Sequence, residues 1–183
     1  IEAVAENVKQ YAWVVDMDIK SFFDEVDHEL LMKALDCHVE EKWVKMYINR
    51  WLEAPVQRQD GTLIAKEGRG TPQGGVISPL LSNLYLHYVL DKWLVKHHPQ
   101  VAFVRYADDV IVHCRSEEEA KQILEAIRER LKECRLRLNE EKTKLVYCKD
   151  YRRKKKNNYD KKFDFLGFTF KPQSIPIKNV GMI

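Results

Sequence analysis

The segment Tyr106-Ala107-Asp108-Asp109 constrains the fold of this chain more than any other stretch. It places two adjacent acids between two apolar runs, residues 101–104 and 110–112, which are rich in β-branched and aromatic side chains. Such runs are typical of short β-strands, so the acids are predicted at the tight turn of a β-hairpin. Neighbouring carboxylates repel each other, and Arg105 is the local charge available to neutralise them. Aspartate is also common in solvated turns, so the pair alone does not identify a functional site.

A third acid lies far upstream, at the end of another apolar segment. Residues 11–19 read as a buried strand that carries Asp16 and Asp18 near its end. Because strand side chains alternate, these two acids face the same side, and periodicity does not choose between them. Carboxylates from two strands can hold Mg²⁺ together with waters and substrate phosphates. Two such ions about 4 Å apart can activate a hydroxyl and stabilise a leaving oxygen, which is the chemistry of nucleotidyl transfer.

Four short motifs follow one another along the chain, and the acids belong to two of them. They are Asp18-Ile-Lys-Ser-Phe-Phe-Asp24, Thr71-Pro-Gln-Gly-Gly75, Tyr106-Ala-Asp-Asp109 and Phe165-Leu-Gly-Phe168. In this order the chain resembles reverse transcriptases over roughly residues 13–172. Three further stretches resemble the bacterial group II intron-encoded reverse transcriptase/maturase: Phe23-Asp-Glu-Val-Asp-His28, residues 69–83 and Leu138-Asn-Glu-Glu-Lys-Thr143. Retron, diversity-generating and CRISPR-linked reverse transcriptases are the alternatives within this class.

The order of the predicted elements indicates an α+β fold. Short strands, hairpins and amphipathic helices alternate, which is typical of helices covering one face of an antiparallel sheet. The resemblance implies the palm of a right-hand polymerase over residues 1–183, with part of the fingers around residues 28–70 and a basic insert at residues 149–162. It also implies that the N-terminal fingers and the C-terminal thumb and maturase regions are missing here, so weak or no activity is expected of this chain alone.

The resemblance implies a two-metal site built on three carboxylates. Asp18, Asp108 and Asp109 are the predicted catalytic residues and metal ligands, with Asp109 the more dispensable of the three. The backbone carbonyl of Ile19 is a further predicted ligand. The implied cofactor is a pair of Mg²⁺ ions, for which Mn²⁺ can substitute. Asp16 is then a supporting acid beside the site.

The resemblance also implies where the substrates bind. Phe23, or alternatively Phe22, is expected to pack against the sugar of the incoming nucleotide and to exclude a 2′-hydroxyl. A lysine is expected to orient the triphosphate and to protonate the pyrophosphate. This lysine is Lys142. The other predicted nucleotide-binding residues are Pro72, Gln73 and Gly74. The predicted primer-binding residues are Leu166, Gly167 and Phe168.

Positive charge is concentrated in the predicted insert. Residues 149–162 contribute a net charge of +6 to a chain whose total is +3. Runs of lysine and arginine are usually solvated, but they also bind phosphates with a strong dependence on salt. The predicted template or RNA contacts are Arg69, Arg152, Arg153, Lys154, Lys155 and Lys156.

Local signals predict several element boundaries. Asp27 is expected to cap a helix from His28, and Ser116 opens a capping box before a helix that runs to about residue 134. Residues 163–170 read as one strand with apolar side chains on both faces. An aromatic stripe at helical spacing is expected in the core, with a nucleic-acid template lying across it as the alternative. The stripe comprises Trp43, Met46, Tyr47 and Trp51.

Together these features predict an RNA-directed DNA polymerase of a group II intron, with a linked role in splicing and mobility. The implied partners are an RNA template, a DNA primer, dNTPs and intron RNA. The alternative is an intron RNA-binding splicing cofactor that needs no polymerase activity. No apolar run reaches membrane-spanning length, and the four cysteines lie far apart, so the bacterial cytosol or nucleoid is the expected location. An exposed palm surface could also support a homo-oligomer.

Overall fold

A computed structural model describes residues 1–57, 60–71, 75–150, 152–153 and 158–173, which form helices packed on an antiparallel sheet. The helices are α1 (Glu2–Gln10), α2 (Phe22–Glu25), α3 (His28–Asp36), α4 (Lys42–Glu53), α5 (Ser78–Leu86), α6 (Lys92–His97) and α7 (Glu117–Glu133). The strands are β1 (Trp13–Met17), β2 (Val56–Gln57), β3 (Leu63–Ile64), β4 (Ala102–Tyr106), β5 (Asp109–Cys114), β6 (Lys144–Tyr147), β7 (Phe163–Phe165) and β8 (Phe168–Phe170). A π-helical turn, His87–Asp91, joins α5 to α6.

The central sheet has four strands in the order β4-β5-β1-β6. All three strand pairs are antiparallel, and β1 pairs with β5 on one side and β6 on the other. The other two sheets are the hairpins β2–β3 and β7–β8. Because β1 and β5 run in opposite directions, the end of β1 and the start of β5 meet at the same edge of the sheet.

The two faces of the central sheet carry separate cores. On the helix face, the side chains of Val15, Met17 and Val112 join one large cluster with α3, α5, α6 and α7. On the other face, here called the hairpin face, Val14 and Ile111 pack with Val4 and Val8 of α1 and with the phenylalanines of the β7–β8 hairpin. Alternation along β1 and β5 therefore determines which layer each side chain meets.

Several of the predicted boundaries are confirmed. The Asp27 carboxylate accepts a hydrogen bond from the Leu30 N–H and so caps α3. The Ser116 hydroxyl accepts one from the Glu119 N–H at the start of α7, as the capping box predicts. Within the described part of the chain, no helix has the length and apolar character needed to cross a membrane.

Two local predictions are wrong. The segment predicted as one strand is the β7–β8 hairpin, because Leu166 and Gly167 have φ angles of 51° and 78° and reverse the chain. The aromatic stripe of α4 is exposed, with Trp43 and Trp51 showing 64% and 50% of their surface to solvent. The helix instead buries Ile48 and Leu52, which lie on its other side.

Candidate active site

The register of the central sheet brings the predicted catalytic acids together. Met17 pairs with Val110, so one further residue along each strand places Asp18 opposite Asp109. Asp108 occupies the two-residue turn between β4 and β5. Asp18 and Asp108 line the same cavity of about 380 Å³. The hairpin predicted from the sequence is confirmed, and it brings its acids to the end of β1.

Asp18 is held by a loop that comes from between α7 and β6. The Asn139 side-chain amide donates to Asp18 Oδ2 at 2.9 Å, and the Asn139 backbone N–H donates to the Asp18 carbonyl, also at 2.9 Å. Lys142 Nζ lies 3.4 Å from the same carboxylate oxygen. The sequence motif 138–143 indicated Lys142, whereas the contact of Asn139 with Asp18 was missed because an asparagine at a turn needs no ligand to explain it.

Asp109 and Asp16 lie in the field of the other acids. Burial, followed by the charges of Asp108 and Asp18, raises the pKa of the Asp109 carboxyl. Burial raises the pKa of Asp16 to about 6, and the Lys144 charge opposes this shift. Asp16 follows Val14 by two residues on β1, so both side chains lie on the hairpin face. The site thus concentrates negative charge that a bound cation would relieve.

Arg105 does not neutralise the two adjacent acids, contrary to expectation. Its guanidinium forms a forked ion pair with Asp91: Nε donates to one carboxylate oxygen at 2.7 Å, and Nη2 donates to the other at 2.6 Å. It also donates to the Asn83 side chain at 2.8 Å and to the Ala107 carbonyl at 3.0 Å. Arg105 therefore fixes the backbone of the turn that carries Asp108, and Ala107 adopts a φ of 52° there.

The two candidate phenylalanines differ in exposure. Phe22 is only 2% exposed and belongs to the main core. Phe23 is partly buried, and both rings border the cavity that contains Asp18 and Asp108. The Phe23 ring therefore has the surface that a bound sugar would contact, while the Phe22 ring supports it from a centroid distance of 5.3 Å.

The segment before the Thr-Pro-Gln-Gly-Gly motif is fastened to the chain that follows Asp18. The Thr71 N–H donates to the Phe23 carbonyl at 2.7 Å, and the Gly70 N–H donates to the Val26 carbonyl at 2.8 Å. A side chain at Gly70 would place its Cβ 3.0 Å from the Asp24 carbonyl oxygen. Pro72, Gln73 and Gly74 lie outside the described residues. Arg69 is exposed, and its backbone bridges to that of Asp27.

The predicted primer-binding residues form the tip of the β7–β8 hairpin. Leu166 and Gly167 make the turn, and Phe168 exposes 58% of its surface. Phe163 and Phe165 anchor the hairpin on the hairpin face, and the Asp164 charge contributes to the raised pKa of Asp16. The exposed tip therefore belongs to an element that packs on the face carrying Asp16.

The described part of the basic insert is tied to the protein. Arg153 donates to the carbonyls of Val8 at 3.0 Å, Cys148 at 2.5 Å and Lys9 at 2.9 Å. Arg152 pairs with Asp150 at 3.3 Å. Arg153 thus holds the end of α1 and is not exposed for template binding as predicted. Lys154, Lys155 and Lys156 lie outside the described residues.

The oxygen ligands at the site suit a divalent cation that substrate helps to bind. Among the residues that the structure describes, no three Asp, Glu, His or Cys side chains are grouped closely enough to form a metal centre by themselves. Mg²⁺ requires only one or two carboxylates when waters and substrate phosphates complete its shell. The oxygens of Asp18 and Asp108 in one cavity fit that demand, and the Ile19 backbone borders the same cavity.

Comparison with known proteins identifies the family. The family described as "Reverse transcriptase (RNA-dependent DNA polymerase)" matches residues 2–170. The chain belongs to the reverse transcriptase family. The acids at the ends of β1 and β4 are therefore the acids of a reverse transcriptase domain.

The curated relatives of this reverse transcriptase include several intron proteins. The protein YkfC of Escherichia coli is 34% identical over 176 residues, which cover 75% of this chain and 44% of YkfC. The group II intron-encoded protein LtrA of Lactococcus lactis is 37% identical over 84 residues, covering 46% of this chain and 14% of LtrA. The chain therefore spans less than half the length of these relatives.

Solved structures confirm the fold class. Apo telomerase from Candida tropicalis, truncated from its C-terminal domain, matches with a TM-score of 0.68 and 14% identity, covering 93% of this chain and 38% of that one. Telomerase from Candida albicans, in complex with a fragment of telomeric RNA, matches with a TM-score of 0.64 and 16% identity, covering 92% and 33%. The domain has the mixed helix and antiparallel sheet fold of a polymerase palm.

Proposed function

We propose that this domain catalyses RNA-directed DNA synthesis for a group II intron. The observation that carries the proposal is the shared cavity in which Asp18 and Asp108 lie beside Phe23 and Lys142. Carboxylates, an aromatic ring and a cation in one cavity match the three parts of a bound dNTP: its metal-bound phosphates, its sugar and its leaving group. Membership of the reverse transcriptase family supports the same assignment.

Asp18 and Asp108 would hold the divalent cations, with Asp109 and the Ile19 carbonyl beside them. Bound Mg²⁺, or Mn²⁺ in its place, supplies Lewis acidity to the attacking hydroxyl and to the leaving oxygen. The residues fit this role because burial, followed by the charges of Asp108 and Asp18, raises the pKa of Asp109, and a bound cation would favour the charged carboxylates. Lys142, which pairs with Asp18, is the nearby counter-charge.

The remaining residues act on the nucleotide and the primer. The primer 3′-hydroxyl attacks the α-phosphate of the dNTP, a new phosphodiester bond forms, and pyrophosphate leaves. The Lys142 ammonium is 67% exposed at its side chain, so it can turn from Asp18 to the triphosphate and give a proton to the departing pyrophosphate. The Phe23 ring would exclude a 2′-hydroxyl, and the tip Leu166-Gly167-Phe168 would hold the primer end.

The decisive experiment removes one charge from the site and uses the full-length protein, because weak or no activity is expected of this chain alone. Asp108→Asn keeps the shape of the side chain, and we expect it to lower dNTP incorporation on a primed RNA template at least about 100-fold, because metal ions contribute several kcal/mol to the transition state. Asp36→Asn is the matched control, since Asp36 is exposed and pairs with Lys45 at the surface. Undiminished incorporation by Asp108→Asn would contradict the proposed function.

The intron role rests on the relatives and has its own test. LtrA is named as a group II intron-encoded protein, and a yeast relative, 26% identical over 188 residues, is named as a putative COX1/OXI3 intron 1 protein. The second candidate is therefore an intron RNA-binding splicing cofactor. Splicing of a cognate intron that persists in Asp108→Asn, while incorporation is lost, would show two separable roles. The four free cysteines favour action in a reducing compartment such as the bacterial cytosol or nucleoid.

A further inference from the structure

A second cavity lies at the far side of the hairpin face. It has a volume of about 340 Å³ and is bounded by the end of α1, the residues after β6 and the β7–β8 hairpin. It shares no lining residue with the cavity that contains Asp18 and Asp108. Pockets for small ligands begin at about 300 Å³, so this cavity can admit a group the size of one nucleotide.

The floor of this cavity is apolar and aromatic. The rings of Phe163 and Phe170 are stacked nearly parallel, with their centroids 4.9 Å apart and their planes inclined by 7°. Both residues line the cavity; Phe163 is buried against the sheet, whereas Phe170 is only partly buried. Val8 and Cys148 complete the apolar wall. The Phe170 ring therefore extends a stack that another flat ring could continue.

The rim of the cavity carries positive charge without enough acid to balance it. Lys149, Lys161 and Lys171 border the cavity, and none of them forms a hydrogen bond or ion pair with another described residue. The Asp150 carboxylate at the rim already pairs with Arg152 and Arg153. Lys149 and Lys161 are partly buried, where an unbalanced charge costs more than at an exposed position. The rim therefore carries positive charge that a bound anion would balance.

We propose that this cavity binds an unpaired nucleotide of a single-stranded nucleic acid. The base would stack on the Phe170 ring, and the lysines would contact the flanking phosphates. Aromatic rings beside lysines are how single strands are bound without regard to sequence. The proposal extends the proposed function, because a reverse transcriptase handles both an RNA template and a DNA strand outside its catalytic cavity.

The test compares two triple variants of the purified protein, both in the Asp108→Asn background and without dNTPs. The rim variant, Lys149→Ala/Lys161→Ala/Lys171→Ala, removes three positive charges from the rim of the cavity. The control removes three exposed lysines from the helix layer, which are Lys42, Lys96 and Lys132. Binding of fluorescein-labelled strands of about 16 nucleotides is followed by anisotropy, with RNA, DNA and a blunt duplex as separate ligands.

We expect the rim variant to weaken single-strand binding at least about tenfold and to lower the slope of log K against log salt by about 2, while duplex binding is unchanged. Weakening confined to RNA or to DNA would identify which strand occupies the cavity. Phe170→Leu keeps an apolar wall but removes the stacking ring, and we expect it to weaken binding about fivefold or more with the salt slope unchanged. Thermal melts establish that each variant is folded.

Equal losses in the rim and control variants, or an equal loss on the duplex, would overturn the proposal, since both indicate a general charge effect. Tight binding of a free nucleoside monophosphate that competes with single strands would also overturn it in favour of a small-ligand site. Primer extension is measured separately. If the rim variant binds single strands normally while Asp108→Asn abolishes primer extension, this inference is wrong and the proposed function stands.

Discussion

His113 is a polar residue in a wholly apolar position. It is fully buried on β5, and neither ring nitrogen has a hydrogen-bond partner among the described residues. Its neighbours across the strands are Val14 and Ala102, and the Tyr11 ring lies 6.1 Å away. Burial lowers the pKa of His113 to about 4, so the ring stays neutral in the folded protein.

This burial predicts a loss of stability in acid. The unfolded histidine binds a proton near pH 6.5 while the folded one resists until about pH 4, so stability falls as the pH drops across that window. We expect His113→Leu to remove roughly 3 kcal/mol of this loss, measured by urea unfolding at about pH 7 and about pH 4. His97→Leu, at an exposed histidine, is the control.

Asp16 acts in the opposite direction over part of that range, because its raised pKa favours the folded state at lower pH. The quantity to compare is therefore the difference between each variant and the parent protein. A His113→Leu difference that is the same at both pH values would contradict the buried neutral ring.

Substitutions at Phe22 and Phe23 should have different effects, the first on stability and the second on the choice between ribonucleotides and dNTPs. Phe22→Ala empties a core position, and we expect it to lower the free energy of unfolding by about 3–5 kcal/mol. Phe23→Ala removes a partly exposed ring at the cavity, so we expect a smaller loss of stability and increased incorporation of ribonucleotides relative to dNTPs. Single-nucleotide extension with each nucleotide measures the ratio. An unchanged ratio in Phe23→Ala, with a changed one in Phe22→Ala, would reverse the assignment.

At the scale of elements, the β4–β5 hairpin depends on Arg105 for its orientation. The guanidinium joins the π-helical turn, through Asp91, to the Ala107 carbonyl of the turn that carries Asp108. Its side chain is 11% exposed, so little water competes for these bonds. The fork requires a planar group with several donors, which lysine lacks.

We therefore expect Arg105→Lys to lower the rate of incorporation about 10- to 100-fold, because the turn that carries Asp108 loses its fixed position. The free energy of unfolding should fall by about 1–3 kcal/mol. Arg128→Lys is the control, since Arg128 binds acids at the surface of α7. Single-turnover extension under conditions where both variants are folded gives the rates. Equal rates would mean that Arg105 serves stability alone.

Strand pairing at the acids was predictable from the sequence, whereas the roles of α4 and of residues 163–170 were not. The apolar runs around Asp108 are rich in β-branched and aromatic side chains, and the turn between them is short, so the hairpin follows from local signals. Residues 163–170 lack a Gly-Gly or Asn-Gly turn, and the Leu166 φ of 51° is uncommon for a branched side chain. The packing of Phe163 and Phe165 on the sheet maintains that turn, and such a tertiary contact is not visible in a local pattern.

The contacts of Arg105 and Arg153 escaped sequence reasoning for the same reason. Each guanidinium binds groups far along the chain or on another element: Asp91 in one case and the end of α1 in the other. The sequence showed that two charged guanidinium groups were present, but not which acids or carbonyls they would bind. The placement of the acids at one edge of the sheet could be predicted because their motifs lie at the ends of recognisable strands.

At the scale of the molecule, the exposed side of α4 forms an apolar surface. Trp43, Tyr47 and Trp51 lie along it, and Trp51 also borders a cavity of about 750 Å³ whose other walls include Val76 and Leu80. Exposed apolar patches of this kind favour association. The stripe predicted in the core is thus a surface, and the predicted homo-oligomer remains to be tested there.

We expect the chain to self-associate through this side of α4. The variant Trp43→Gln/Tyr47→Gln/Trp51→Gln should shift sedimentation equilibrium toward the monomer, while Leu63→Gln/Ile64→Gln on the β2–β3 hairpin, also exposed, should not. A monomeric parent at high concentration would contradict the expectation. An equal shift in both variants would place the contact on a broader surface.

The pairing of β1 with both β5 and β6 also limits how the gene can change. Trp13 to Met17 are matched residue by residue with β5, Trp13 to Asp16 are also matched with β6, and a two-residue turn closes the neighbouring hairpin. An added or lost residue there would move every following side chain to the opposite face and separate the acids. The described residues between β6 and β7 lie outside these ladders, so differences in length among related genes should concentrate in that connection.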